Sequence, residues 1–337
     1  MTTIVHVGIH KTGTTSIQKF AAQHRGEFRA RGLWYPDFQD VGLLPHYAHH
    51  QLAISLGGGG RLSQDEIRTF VDHVNANRKG GETVLYSAEP FYRMLSPEVE
   101  GAAEAGPMDE NYWAQRDAYT AKMRALFPQD AVKILICLRR QDDFARSLYQ
   151  ERVKVTRHTG TFDEFLDGER PLFDFYRQVA MYARHFPQVE VVRFQDLVRG
   201  GDLNAAFFGL LGIDIDFTDK RPVTNTSLPV EYVEFKRLVN KTRPSNEESK
   251  AIGRKLLKMA GNDALDPDKN LDWVSFDRIQ EFQSSFDADN ERLRKEFAPH
   301  LEGPLFPDPK PNGKRIFEGL SGERAVQLAR RFMARVE

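Results

Sequence analysis

At 337 residues, with 40% hydrophobic and 28% charged side chains, the chain is long enough to bury a full core and has the composition of a globular enzyme. A formal net charge of −1 gives no global attraction to nucleic acid, so no nucleic-acid partner is expected and any anion binding has to be local. The one cysteine, Cys137 in the apolar run ILICL, excludes an internal disulfide and reads as a core thiol; with no apolar run of transmembrane length and no secretion-type N-terminus, a cytoplasmic location without membrane insertion is expected.

The chain opens on TIVHVGIHKTGTTSIQ, residues 3–18. Ile4, Val5, Val7 and Ile9 suit a buried parallel strand, and the chain then turns through Gly8, His10, Lys11, Thr12 and Gly13 into an amphipathic helix. Strand, short polar turn and helix make an anion cradle. Gly13 lets backbone approach a ligand, Thr14, Thr15 and Ser16 carry hydroxyls, the N–H groups of the first helical turn point outward, and Lys11 adds a full positive charge. The order differs from a Walker A loop, because here the lysine precedes the glycine by two residues.

Ile17, Phe20, Ala21, His24 and Phe28 continue at helical spacing, with Gly32 placed for a C-terminal cap. Residues 33–45 read as a loop, followed by a short helix carrying His46, His49 and His50 that ends at the glycines 57–60. Ser63 and Glu66 form a capping-box pattern ahead of Ile67, Phe70, Val71 and Val74. A second strand covers 83–88 and is terminated by Glu89 and Pro90; beyond a small-residue loop at 101–107, residues 112–127 read as a helix. AVKILICL at 131–138 predicts a central strand buried on both faces, delivering Arg139 and Arg140 to its carboxyl end ahead of a helix with Ser147, Leu148 and Val153. Thr161 and Glu164 cap a further helix, 173–186 forms another, 189–194 is a fourth strand and 203–211 a helix. Repeated βα units predict an α/β fold, a doubly wound, mostly parallel sheet flanked by helices. Past Gly212 the pattern is helical, at 230–240, 247–259, 275–297 and 323–336. The expected organisation is a single domain, 1–337, with an α/β nucleotide-binding core (1–212) and a mainly helical C-terminal extension (213–337).

HKTGTTS resembles the 5′-phosphosulfate-binding loop of sulfotransferases that use 3′-phosphoadenosine 5′-phosphosulfate, in particular the bacterial and carbohydrate-type members whose loop reads HKTGTT or HKTGST. Arg139 at the end of the central strand, with Ser147 eight residues on, matches the 3′-phosphate-binding element of the same family. A guanidinium grips a phosphate through two parallel N–H bonds, and a helix-borne hydroxyl meets a third oxygen. Weaker echoes are RFQDL at 193–197, Asn225 with Ser227, and DNERL at 289–293. The resemblance implies a P-loop-like sulfotransferase fold and 3′-phosphoadenosine 5′-phosphosulfate as donor, released as 3′-phosphoadenosine 5′-phosphate, with no metal required. It further implies that His10, Lys11, Thr12, Gly13, Thr14, Thr15 and Ser16 hold the donor's 5′ end while Arg139 and Ser147 hold its 3′ phosphate. Ser16 stands where cytosolic members carry a tryptophan against adenine, which leaves Phe194 as the aromatic face on offer.

Sulfuryl transfer needs cations and N–H donors on the leaving side and a base on the acceptor side. Lys11 is expected to stabilise the leaving group. Glu89 is the expected base, since the family resemblance puts it where cytosolic members carry histidine and carbohydrate N-sulfotransferases glutamate; the bland reading is a helix N-cap or a partner for Arg93. His46, His49 and His50 compete for the role, and no metal site is expected from them. The expected acceptor is a saccharide or another small metabolite, stacked on aromatics such as Trp34, Tyr35, Tyr47, Phe91, Tyr92 or Trp113. Two other classes stay open: a P-loop kinase-like phosphotransferase, and a non-catalytic nucleotide- or glycan-binding protein on the same fold.

Overall fold

The computed structural model describes residues 2–9, 11–96, 110–128, 131–215, 228–261, 267, 268 and 270–334. In chain order the first elements are β1 (Thr2–Gly8), α1 (Thr14–Gln23), α2 (Arg25–Ala30), β2 (Leu33–Trp34), α3 (His50–Leu56), α4 (Gln64–Asn77), β3 (Thr83–Ser87), α5 (Pro90–Arg93) and α6 (Glu110–Ala125). There follow β4 (Ala131–Leu138), α7 (Gln141–Val155), α8 (Phe162–Gly168), α9 (Phe175–His185), β5 (Gln188–Arg193), α10 (Phe194–Val198) and α11 (Leu203–Leu210). The last are α12 (Val230–Asn240), α13 (Asn246–Gly261), β6 (Leu271–Asp272), α14 (Phe276–Ser284), α15 (Asp287–Phe297), β7 (Arg315–Ile316) and α16 (Gly322–Met333). Two compact units share the chain: Met1–Arg139, Arg170–Pro222 and Asp287–Phe306 form one, and Arg140–Glu169, Val223–Phe286 and Pro307–Glu337 the other.

The first unit is built on a five-stranded sheet in the order β2-β3-β1-β4-β5, every pairing parallel. This is the doubly wound α/β sheet that the sequence pattern predicts. β1 and β4 lie at its centre because their residues are apolar on both faces: Val5, Val7, Ile134, Leu135, Ile136 and Leu138 are all buried. The chain leaves β1 towards β3 and β2 but leaves β4 towards β5, so the winding reverses between these two central strands, and the crevice at their carboxyl ends is where such sheets bind ligands. Their register pairs Gly8 with Cys137, so the loop after β1 and Arg139 after β4 leave the sheet at one level. Under them Phe20, Phe28, Phe207 and Phe208 form an aromatic layer, Phe28 stacked on Phe208 at 4.3 Å.

Three boundaries differ from the sequence pattern. The opening helix breaks at His24 (φ −113°, ψ 30°) into α1 and α2, and hydrophobic spacing hides the break because Phe20 and Phe28 enter the same core cluster. Leu33 and Trp34, expected in a loop, form an edge strand too short to show alternation. The helix expected over 275–297 is two helices, α14 and α15, separated without a proline or glycine to announce it.

The second unit is mainly helical, with β6 and β7 paired in parallel. Tyr149 of α7 is its hub, with rings of Phe162, Phe165 and Trp273 around it and two acceptors within reach of its one hydroxyl proton, Glu234 Oε1 at 3.1 Å and the Gly160 carbonyl at 3.2 Å. Helix α13 approaches α7 closely at Gly253, where a Cβ would stand 2.3 Å from the Lys154 carbonyl oxygen. The capping boxes read from sequence at Ser63/Glu66 and Thr161/Glu164 are both formed.

Candidate active site

The loop after β1 enters α1 through two left-handed residues, Lys11 (φ 64°) and Gly13 (φ 70°). Only glycine adopts this conformation without strain, so Lys11 is held in it by its surroundings. Thr12 supplies part of that hold by donating its hydroxyl to the Ile9 carbonyl at 2.8 Å, and Arg139 supplies more by donating Nη1 to the Lys11 carbonyl at 3.1 Å. Space is scarce around the turn: a Cβ on Gly8 would lie 1.9 Å from Thr14 Cγ2, and one on Gly13 would lie 2.1 Å from Leu203 Cδ2 and 3.3 Å from the Phe194 ring. Phe194 is thus beside the loop, with the Arg139 guanidinium 6.0 Å from its ring centre.

The four loop hydroxyls divide by direction. Thr12 and Thr14 are buried, whereas Thr15 is exposed and Ser16 partly so. The Thr14 hydroxyl donates to Glu89 Oε1, and one helical turn on, Gln18 Nε2 donates to Glu89 Oε2 at 3.2 Å. His50, the first residue of α3, brings Nε2 to the same Oε2. Glu89 therefore sits buried between α1 and α3 at the end of β3. It occupies the N-cap position of α5, but its side chain makes no cap bond there. Burial works against ionisation of its carboxyl, yet the hydrogen bonds from His50 and Thr14 outweigh it and hold the pKa well below the usual carboxylate range. Ionised Glu89 can only accept, so His50 Nε2 carries the proton between them and Nδ1 is left as the basic ring nitrogen.

The three candidate histidines are not on one helix. His49 is in the core, Nδ1 accepting from the Ser87 N–H (3.0 Å) and Nε2 donating to the Pro36 carbonyl (3.2 Å), and burial pulls its pKa down to about 3. His46 stacks on Tyr47 at 4.5 Å, 5.2 Å from His50. Among the described residues no group of three or more His, Cys, Asp or Glu side chains is arranged to hold a metal ion. Of the aromatics considered for acceptor stacking, Trp34, Tyr35, Phe91, Tyr92 and Trp113 are core residues; Tyr47, edge-on to His50 at 6.3 Å, is the partly exposed one.

Ser147 lies on α7, in the second unit, while Lys11, Thr14, Glu89, His50, Arg139 and Phe194 all belong to the first. His10, Asn225, Ser227 and the 101–107 loop lie outside the described residues. Cys137 is buried, and its thiol is pushed up to about 12 by that burial, as suits a core residue.

No family model matches the sequence, and no curated protein matches it. Among solved structures, a sulfotransferase from Alicyclobacillus acidocaldarius is similar over 73% of this chain and 93% of its own, at 19% identity and a TM-score of 0.38.

Sequence reasoning missed the layer beneath the carboxylate. Gln18 is fully buried and also donates to Ser87 Oγ at 3.2 Å, and His6 reaches the same hydroxyl through Nδ1 at 2.9 Å, its pKa brought down to about 4 by burial despite the nearby charge of Glu89. The spacing of Thr14 and Gln18, four apart on one helix face, was the available signal. Chemically, the first unit offers a lysine and a helix N-terminus at the start of α1 and, one side chain away through Thr14, a carboxylate–imidazole pair.

Proposed function

We propose that the protein is a sulfotransferase that moves a sulfuryl group from 3′-phosphoadenosine 5′-phosphosulfate to a hydroxyl or amine of a small acceptor, a saccharide being the favoured class. The observation that carries this reading is Thr14, which joins the two halves of the chemistry: its backbone belongs to the first turn of the anion cradle and its side chain holds Glu89. Gly13, at φ 70°, turns the chain straight into α1, and the N–H groups of that helix's first turn are the donors that would meet an oxyanion. Lys11 neutralises charge growing on the donor's leaving oxygen as the S–O bond to it breaks. The acceptor oxygen or nitrogen forms the new bond to sulfur and gives its proton to the His50–Glu89 pair, with His50 as the accessible acceptor and Glu89 fixing its ring and balancing the imidazolium. Arg139 is assigned to the 3′ phosphate. β4 is followed at once by the cation Arg139, where a metal-dependent phosphotransferase would need a carboxylate, and this favours sulfuryl over phosphoryl transfer.

A thermal-melt comparison tests the class. 3′-Phosphoadenosine 5′-phosphate at a hundredfold excess over its dissociation constant should stabilise the protein by about 2.7 kcal/mol, with ADP and ATP at equal concentration doing much less, and Arg139→Ala should erase the difference. Equal shifts from all three nucleotides would sink the assignment.

A further inference from the structure

The elements that present Glu89 and His50 are short. α5 has four residues, too few to be stable alone, and α3 has seven. Both are tied to α6. Arg116 of α6, fully buried, donates Nη1 to the carbonyls of Phe91 (3.1 Å) and Met94 (2.7 Å), Nη2 to the Tyr182 hydroxyl (2.9 Å) and Nε to Gln178 Oε1 (3.2 Å). Tyr182 in turn donates to the Phe91 carbonyl at 2.7 Å. One turn further along α6, Tyr119 donates its hydroxyl to the Ala53 carbonyl of α3 at 2.9 Å, and the Ala53 N–H bonds to the His49 carbonyl at the start of that helix.

Among the described residues all four acceptors around Arg116 are neutral. Burying a cation without a carboxylate is costly, and an apolar side chain would fill the volume more cheaply. What the guanidinium does that no apolar group can is fix the direction of two backbone carbonyls at once through one planar fork. Those carbonyls belong to the segment that begins at Glu89.

We infer that Arg116 is a positioning residue for the Glu89–His50 pair: through the Phe91 and Met94 carbonyls it sets where the Glu89 carboxylate stands, while Tyr119 on the same helix anchors α3 at Ala53, one turn from His50. Its functional weight rests on the reading of that pair as the proton acceptor. A change of a few tenths of an ångström at α5 would loosen the bonds from Thr14, Gln18 and His50 that keep Glu89 ionised.

The test is a carboxyl ¹³C NMR titration of Glu89, its resonance assigned with Glu89→Gln, in wild type, Arg116→Met and Tyr182→Phe, with affinity for 3′-phosphoadenosine 5′-phosphate measured in parallel. The expected result is that Arg116→Met raises the Glu89 midpoint by a pH unit or more, roughly a tenfold change in proton affinity. Nucleotide affinity should stay within about twofold, because the α1 cradle is untouched. Tyr182→Phe, which removes only a hydroxyl, should move the midpoint the same way by less, and it carries the test if Arg116→Met does not fold. A wild-type midpoint in the folded variants would overturn the inference and leave Arg116 a packing residue. Should the midpoint move while the nucleotide fails to bind wild type, the positioning of Glu89 stands and the sulfotransferase reading falls.

Discussion

Glu89 in the first unit and Lys236 in the second are both buried ionisable side chains, yet they are built into opposite kinds of surroundings. The Lys236 ammonium donates to Asn240 Oδ1, to Ser249 Oγ at 2.8 Å and to the Thr156 carbonyl at 3.5 Å, which are the end of α12, the start of α13 and the C-cap of α7. It staples helix ends together, and burial lowers its pKa to about 8. Glu89 is perturbed too, but one of its partners, His50, keeps a quarter of its side chain exposed, at 25%, beside the anion cradle. A perturbed ionisation marks a place where charge is expensive; an exposed partner next to a binding cradle is what turns it into a candidate site.

The sharpest way to break this comparison is to remove one lysine on each side of it, Lys11 in the loop beside Thr14 and Glu89 and Lys236 among the helix ends. Lys11→Ala should slow sulfuryl transfer at least ~100-fold in single-turnover measurements, as expected for loss of a group that acts on the developing charge. Lys236→Met should leave that rate unchanged while lowering unfolding free energy by about 1–3 kcal/mol through unpaired acceptors. If the two variants lose rate alike, the distinction between site and staple is wrong.

Glu89→Gln comes next. Its amide NH₂ would face donors from Thr14, Gln18 or His50, so a rate loss of roughly 100-fold should come with destabilisation of about 1–3 kcal/mol in denaturant titrations. Wild-type turnover in that variant would remove the pair from the chemistry.

The smallest effects are the slopes of stability against pH. His6 and His49 have folded pKa values of about 4 and 3 against an ordinary 6.5, so below that value the unfolded chain binds protons that the folded chain does not. Their stabilisation is complete above pH 6.5 and is lost as pH falls towards 4 and 3, by up to about 1.4 kcal/mol per pH unit for each group. Glu89, depressed in the fold, adds its own loss below the usual carboxylate range. Lys236 gives the opposite limb: its pKa of about 8 lies below the ordinary 10.5, so stability should rise between those values. Denaturant titrations at closely spaced pH should show that alkaline limb in wild type and not in Lys236→Met.

Much of the fold was legible in the sequence because its signals are local. β4 is bounded as its apolar run is, α12 covers the residues its periodicity marks, and both capping boxes form where Ser63/Glu66 and Thr161/Glu164 announce them. The strand, glycine turn and helix that open the chain are of this kind as well, since they are consecutive in it. The three histidines were less legible: closeness in sequence suggests one helix, but His49 turns into the core while His50 starts α3, and which way each faces depends on β3 and on Glu89, some forty positions away.

Sequence alone determined that β1 and β4 are central, that Lys11 and Gly13 stand between β1 and α1, and that Arg139 directly follows β4, because each follows from apolar runs and turn chemistry within a few residues. Only the tertiary structure decided that Thr14 and Gln18 reach Glu89, that His50 rather than His46 or His49 pairs with it, and that Arg116 grips the backbone beyond it. Those partners are 39 to 75 positions apart for Glu89 and 25 for Arg116 and Phe91, and their pairing is enforced by burial, which obliges every polar group taken out of water to find a partner wherever the fold supplies one.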